Sequence, residues 1–105
     1  MLSSQEIKKV QSYLEDGDVD TALTKIFKSL SDINRCKIFR MLAVQPQLSV
    51  SSVAKVLNIS TPLASQHLKI LMQNGLLTKE KVGIRVYYKL KDKNPIIATI
   101  LKVIK

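Results

Sequence analysis

The strongest constraint on this chain lies between Ser49 and Gly75, where two short apolar-periodic segments, each opened by a serine, stand only a few residues apart. In the first, about Val50–Leu57, the residues Val53, Ala54 and Leu57 share one side of a helix; in the second, running to about Asn74, Ala64, Leu68 and Leu71 do. Neither segment is long enough to persist as an isolated helix, so each must bury its stripe against the other and against a further element. Ser49 and Ser60 are placed to accept from first-turn N–H groups, Pro62 sits where a missing donor costs nothing, and Gly75 offers a left-handed C-terminal position. Two such helices joined through the tight turn Asn58-Ile59, the second polar on its outer side, describe a helix-turn-helix.

The rest of the chain supplies a scaffold for that unit. Gln5–Leu14 puts Ile7, Val10 and Leu14 on one face, Glu15-Asp16-Gly17-Asp18 interrupts it, and a second helix is expected from about Val19 with the stripe Leu23, Ile26, Phe27 and Leu30. Ser31-Asp32 offers a cap for a third helix, Ile33–Val44, whose apolar side is Cys36, Ile38, Phe39, Leu42 and Ala43. Gln45-Pro46-Gln47 ends it, because proline cannot donate to the helical ladder. Beyond Gly75, Ile84, Val86, Tyr88 and Leu90 alternate with Arg85, Tyr87 and Lys89, the period of a half-buried strand, so two strands are expected around Gly83. Pro95 opens a last helix rich in isoleucine. The fold class is therefore mainly α with a small β-hairpin, a winged helix-turn-helix. Its order is four helices, a recognition helix, two strands and a closing helix, in one domain over residues 1–105. The helix-turn-helix falls at about 49–74, the wing at about 77–90, and the outer helices at about 3–15 and 94–105.

Charge is unevenly placed. The net charge is +9, yet residues 1–32 hold four lysines against six acids while residues 33–105 hold thirteen bases against Glu80 and Asp92 alone. Positive charge gathered in one part of a small domain points to a polyanion, with nucleic acid ahead of an anionic membrane. No apolar run reaches the roughly 18 residues that span a bilayer, and Met1–Glu6 lacks the pattern of a secretory signal. A cytoplasmic location without a membrane partner is expected.

The second helix of the pair must present short donors and acceptors from its first turns to base edges. Ser60, Thr61, Pro62, Ser65 and Gln66 occupy those turns, with Lys69 one turn later, in reach of phosphate; the helix dipole favours phosphate at the N-terminal end as well. An ordinary capped surface helix would carry the same polar face. The cluster Lys79, Lys81 and Arg85 beside Gly83 favours DNA, because a cationic wing can lie along the backbone or minor groove. Lysine on an edge strand also blocks aggregation. His67 has two readings, a donor to phosphate or base and a histidine at the edge of the core. An enzyme is not expected, since there is no glycine-rich phosphate loop, no paired-carboxylate pattern and no cysteine–histidine spacing for nucleophilic catalysis.

From about Phe27 to Leu90 the chain resembles the ArsR/SmtB winged-helix repressors. The matching stretches are Leu30–Ile38, Leu48–Ala54, Ile59–Leu71, Asn74–Leu77 and Val86–Leu90. The resemblance implies a homodimer joined through the first and last helices, bound to an imperfect inverted repeat in double-stranded DNA and usually repressing. It puts Thr61, Ser65, Gln66 and His67 at positions turned toward DNA. Dimer contacts are then expected from Ile7, Val10 and Leu14 and from Ile96, Ile97, Ile100, Leu101 and Ile104, the last helix being too apolar to lie exposed on a monomer unless it docks on its own domain.

Metal-sensing members of that family often carry a Cys-Val-Cys run where this chain has Ser49-Val50-Ser51, and others use carboxylate and histidine on the last helix, where none follows Asp92. Serine hydroxyls are poor ligands for soft metals, so no metal and no cofactor are expected. A lone cysteine rules out an internal disulfide. Cys36 reads as a small buried hydrophobe or, beside Arg35 and Lys37, as a redox thiol. The alternatives to a DNA-binding regulator are thus a winged-helix protein-interaction module, for which Leu63 is the one apolar anchor on the outer face, and a redox-responsive regulator acting through Cys36. No effector is legible.

Overall fold

The computed structural model describes residues 1–104. Its elements are α1 (Ser4–Tyr13), α2 (Gly17–Leu30), α3 (Ile33–Val44), α4 (Val50–Leu57), α5 (Thr61–Gln73), β1 (Leu77–Val82), β2 (Arg85–Leu90) and α6 (Pro95–Ile104). Lys105, the last residue of the expected closing helix, lies outside the described residues.

Side-chain caps set most of the helix starts. Ser3 Oγ accepts from the Glu6 amide while the Glu6 carboxylate accepts from that of Ser3, a reciprocal box that opens α1. Asp16 accepts from the Asp18 amide, which starts α2 at Gly17, two residues before the expected point. Asp32, Ser49 and Ser60 cap α3, α4 and α5 through the amides of Arg35, Ser52 and Leu63. Between α4 and α5, Asn58 takes the left-handed conformation (φ 53°, ψ 48°), and the Ile59 amide donates back to the Ala54 carbonyl. That reversal lays α5 across α4.

The core gathers around α5. Ala64, Leu68 and Leu71 are fully buried with Ile38 of α3, Val53 of α4 and Leu76, while Phe39 and Leu77 close the cluster. After Gly75 (φ 82°) the chain enters a two-stranded antiparallel sheet, paired from Leu77↔Leu90 to Val82↔Arg85. Gly83 (φ 64°) takes the first position of a two-residue turn and Ile84 follows with negative φ, the arrangement that suits the twist of a hairpin. A further pairing was not foreseen from sequence. Leu48 exchanges both backbone hydrogen bonds with Tyr88, at 3.0 and 2.8 Å, and roots the wing in the segment just before α4.

Three expectations are corrected. The alternating face of β2 is not half-buried along its length: Tyr88 is buried, but Val86 is 36% and Ile84 96% exposed, because the hairpin leaves the core beyond its base. Phe27 is exposed although Ile26, beside it, is buried, since the inward stripe of α2 is narrower than its apolar sequence. In α6, Ile97 is wholly buried in its own domain and Ile96, Ile100 and Leu101 pack on the same core, leaving Ile104 and Val103 outward. Ile97 therefore cannot serve a dimer contact.

Residues 1–20 bury nothing. The radius of gyration, 17.3 Å, exceeds the roughly 13 Å of a closed domain of this length, and the longest extent is 59 Å against 25 and 24 Å. The N-terminal arm stands away from the body.

These burials set a stability contrast. Leu71→Ala should lower the unfolding free energy by about 2 to 5 kcal/mol in urea titration, while Ile84→Ser should change it by less than about 0.5 kcal/mol. A similar loss at both sites would contradict the assigned core.

Candidate nucleic-acid interface

Burial divides α5 sharply. Ala64, His67, Leu68 and Leu71 turn inward, whereas Thr61, Pro62, Leu63, Ser65, Gln66, Lys69 and Gln73 are exposed with the capping Ser60. The exposed set begins at the helix N-terminus, where free N–H groups and the dipole favour anions. Its side chains are short donors and acceptors, followed by an ammonium group. Leu63, the apolar member, is only 38% exposed.

The hairpin register separates the three basic wing residues. Side chains alternate along each strand, so Lys79 and Lys81 share a face with their partners Tyr88 and Val86, and Arg85 lies on the opposite face with Tyr87 and Lys89. A groove between α5 and the wing is lined by Ser65, Lys69, Met72, Gln73, Lys79 and Tyr88. Arg85 instead lines a groove on the other side with Ser49, Ser51 and Ser52. The expectation of one basic cluster is thus corrected to two lysines on one face of the hairpin, of which Lys79 lines the groove with α5, and an arginine on the opposite face. On the arginine side Glu80 pairs with Lys89. Among the described residues no carboxylate pairs with Lys69, Lys79 or Lys81.

His67 is corrected as well. It is 7% exposed and its Nδ1 lies 3.4 Å from an Arg35 guanidinium nitrogen and 3.8 Å from Asp32 Oδ2. Arg35 also donates from Nε to the Ser29 carbonyl at 2.8 Å, and Asn74 donates to the Ser29 hydroxyl at 2.7 Å. Of the two readings of His67, the core-edge histidine is the one the geometry supports, since the ring is buried and its Nδ1 faces Arg35 and Asp32. Sequence reasoning missed Ser29, Arg35 and Asn74 as partners, because contacts 32 and 45 residues apart leave no periodic signal. The serine on the buried side of α2 was the available clue.

Asp32 is held ionised below the ordinary carboxyl range. The hydrogen bond from the Arg35 amide is the leading cause; partial burial opposes it, and the Arg35 charge adds to it. Cys36 is a free, half-buried thiol.

The family model described as bacterial regulatory protein, arsR family, matches residues 32–79. A cadmium resistance transcriptional regulatory protein from Listeria innocua is 31% identical over 91 residues, covering 87% of this chain and 76% of its own length. The chain belongs to the ArsR family. A cadmium-resistance regulator homologue from Staphylococcus aureus is 40% identical over 72 residues, which are 69% of this chain and 60% of that protein. Among solved structures, a homodimeric winged helix-turn-helix DNA-binding domain from Mycobacterium bovis superposes with a TM-score of 0.74 at 22% identity, covering 87% of this chain and 82% of that one, a likeness of fold. The ArsR family is one of transcriptional regulators rather than enzymes, and the winged helix-turn-helix is its fold.

In this ArsR-family chain the α4 start does not fit a soft metal ion. Ser49 Oγ is occupied by the Ser52 amide at 3.2 Å and the Ser52 hydroxyl at 3.0 Å, and Ser51 lies 3.3 Å away; these are neutral, hard donors engaged in capping. Among the described residues no group of three histidine, cysteine or acidic side chains could hold a metal ion, and no helix is long and apolar enough to cross a membrane.

The Asp32 environment sets a pH dependence. Its carboxyl is lowered in the folded state, so its charge stabilises the fold fully above the unfolded value of about 3.9 and loses that contribution as pH falls through the folded value. The stability gap between wild type and Asp32→Asn, which keeps a capping oxygen, should narrow below about pH 4 in urea titrations. A gap constant from pH 7 to pH 2.5 would contradict this assignment.

Proposed function

We propose that this chain works in the cytoplasm as a homodimeric, sequence-specific DNA-binding repressor, single-domain and cofactor-free, that reads an imperfect inverted repeat. The observation that carries the reading is the outward row Thr61, Ser65, Gln66 and Lys69 on a buried-back helix, faced across a groove by Lys79. In the major groove, Gln66 is long enough to pair with an adenine edge, Thr61 and Ser65 reach either acceptor or donor edges, and Lys69, Lys79 and Lys81 neutralise phosphates. Arg85, on the other wing face, is placed for a flanking phosphate or the minor groove as the ribbon twists. Repression is the role that the family resemblance implies.

Dimerisation is supported by what the monomer leaves bare. Ile7, Val10 and Leu14 are 44%, 46% and 57% exposed along α1, and Phe27 on α2 and Ile104 on α6 are outward too. Apolar surface of that extent on an arm standing off the body calls for a partner. The solved Mycobacterium bovis domain is a homodimer, which supports a second copy as that partner. Two recognition helices about 34 Å apart would then meet successive major grooves. Within this reading the half-buried positions Ile96, Ile100 and Leu101 contribute edges only.

Selection of bound duplexes from random DNA tests the proposal, and an enriched inverted repeat is the expected outcome. With six to ten phosphates contacted per dimer, affinity should fall about 10³- to 10⁵-fold between 50 and 200 mM salt. Lys79→Ala should weaken binding to every sequence, and Gln66→Ala should relax one position by about 1 to 3 kcal/mol. Uniform losses from both variants would show that Gln66 reads no base. Light scattering should give a dimer that Val10→Asp with Leu14→Asp converts to monomer; a wild-type monomer at tens of micromolar would sink the dimer.

A further inference from the structure

We propose that Arg35 is a positioning residue for sequence reading: with Ser29, His67 and Asn74 it fixes the rotation of α5 about its own axis. The proposal rests on the DNA-binding reading of α5 and names what controls its specificity.

The apolar contacts under α5 are non-directional. Ala64, Leu68 and Leu71 would keep most of their burial if the helix turned slightly on its axis. Hydrogen bonds would not. The guanidinium of Arg35 is a rigid fork whose Nε is committed to the Ser29 carbonyl at 2.8 Å, which leaves Nη1 aimed at His67 Nδ1, in the middle of α5, at 3.4 Å. At the C-cap of the helix, Asn74 donates to the hydroxyl of the same serine at 2.7 Å. Ser29 is 1% exposed, so both of its bonds are shielded from competing water. The recognition helix is therefore tied at its middle and at its C-terminal cap to a single point on α2.

A small rotation matters on the other side of the helix. An outward side chain ends about 5 to 6 Å from the axis, so a turn of about 20° displaces it by about 2 Å. That exceeds the tolerance of a base-edge hydrogen bond from Thr61, Ser65 or Gln66. Lys69 and Lys79, long and flexible, would still reach phosphate. Loosening the tether should thus erode discrimination and spare non-specific affinity.

The test compares Arg35→Lys, which keeps the charge but not the fork, with His67→Leu, which removes the acceptor, and His67→Asn, whose amide oxygen can replace Nδ1. Each is titrated with the duplex selected by wild type and with a scrambled duplex at one salt concentration. Amide hydrogen exchange is read along α5 and α4 in the absence of DNA. Arg35→Lys and His67→Leu should lower the ratio of selected to scrambled affinity about tenfold, with scrambled binding held within about twofold, and His67→Asn should restore most of the ratio. Exchange should speed in Ile70–Gln73 and not in Val53 or Ala54. An unchanged ratio overturns the proposal, as does a parallel loss on both duplexes that tracks the melting temperature. Should Arg35→Lys fail to fold, the two His67 variants carry the comparison. If wild type selects no duplex, the DNA reading falls, and the exchange arm still decides the tether: unchanged exchange in α5 overturns it.

Discussion

The burial of Ala64, Leu68 and Leu71 against Ile38, Phe39 and Val53 is the contact on which the rest depends. A helix of thirteen residues is too short to hold its shape in water without such packing. Because the inward residues recur at helical spacing, burying them forces Thr61, Ser65, Gln66 and Lys69 outward together. Core and interface are two sides of one amphipathic segment. The left-handed Asn58 and the serine caps set where that segment starts and how it crosses α4.

Charge and packing are divided between separate parts of the chain. The hairpin contributes little to the core beyond Leu77 and Tyr88, and its far half carries cations on both faces. A ribbon anchored at its base by Leu77 and the Leu48–Tyr88 bridge would be free to adjust to the phosphate backbone that the proposed function has it meet. The helix carries, besides its apolar packing, a part-buried polar network that joins it to α2 and α3. Base reading needs the firm element and phosphate binding tolerates the loose one. At the opposite end, α1 leaves Ile7, Val10 and Leu14 exposed, so under the proposed dimer the region acidic in sequence is also the one that associates.

Local signals in the sequence were faithful where one residue decides the outcome. Ser49 and Ser60 as caps, Gly75 and Gly83 as turning points, and the stripe Ala64–Leu68–Leu71 all act within one or two helical turns. What stayed hidden depends on placement in three dimensions. Alternation in β2 could not say that the strand outruns the core, so Ile84 and Val86 were read as more buried than they are. Counting bases near Gly83 could not separate Lys79 and Lys81 from Arg85, because that needs the pairing register. Both candidate faces of α6 are apolar, and only the fold shows that Ile97 belongs inside. His67 was ambiguous for a related reason: its partner Arg35 lies 32 residues away.

The central claim is that the hydrophilic side of α5 and the lysine face of the wing meet duplex DNA together. Backbone amide resonances followed during titration with a selected duplex test it most directly. The account predicts that the largest changes fall on Ser60–Lys69 and on Lys79–Lys81, with α1 and the outer side of α6 nearly unmoved. Changes centred on α1 or α6, with Thr61, Ser65 and Gln66 unaffected by saturating DNA, would contradict it.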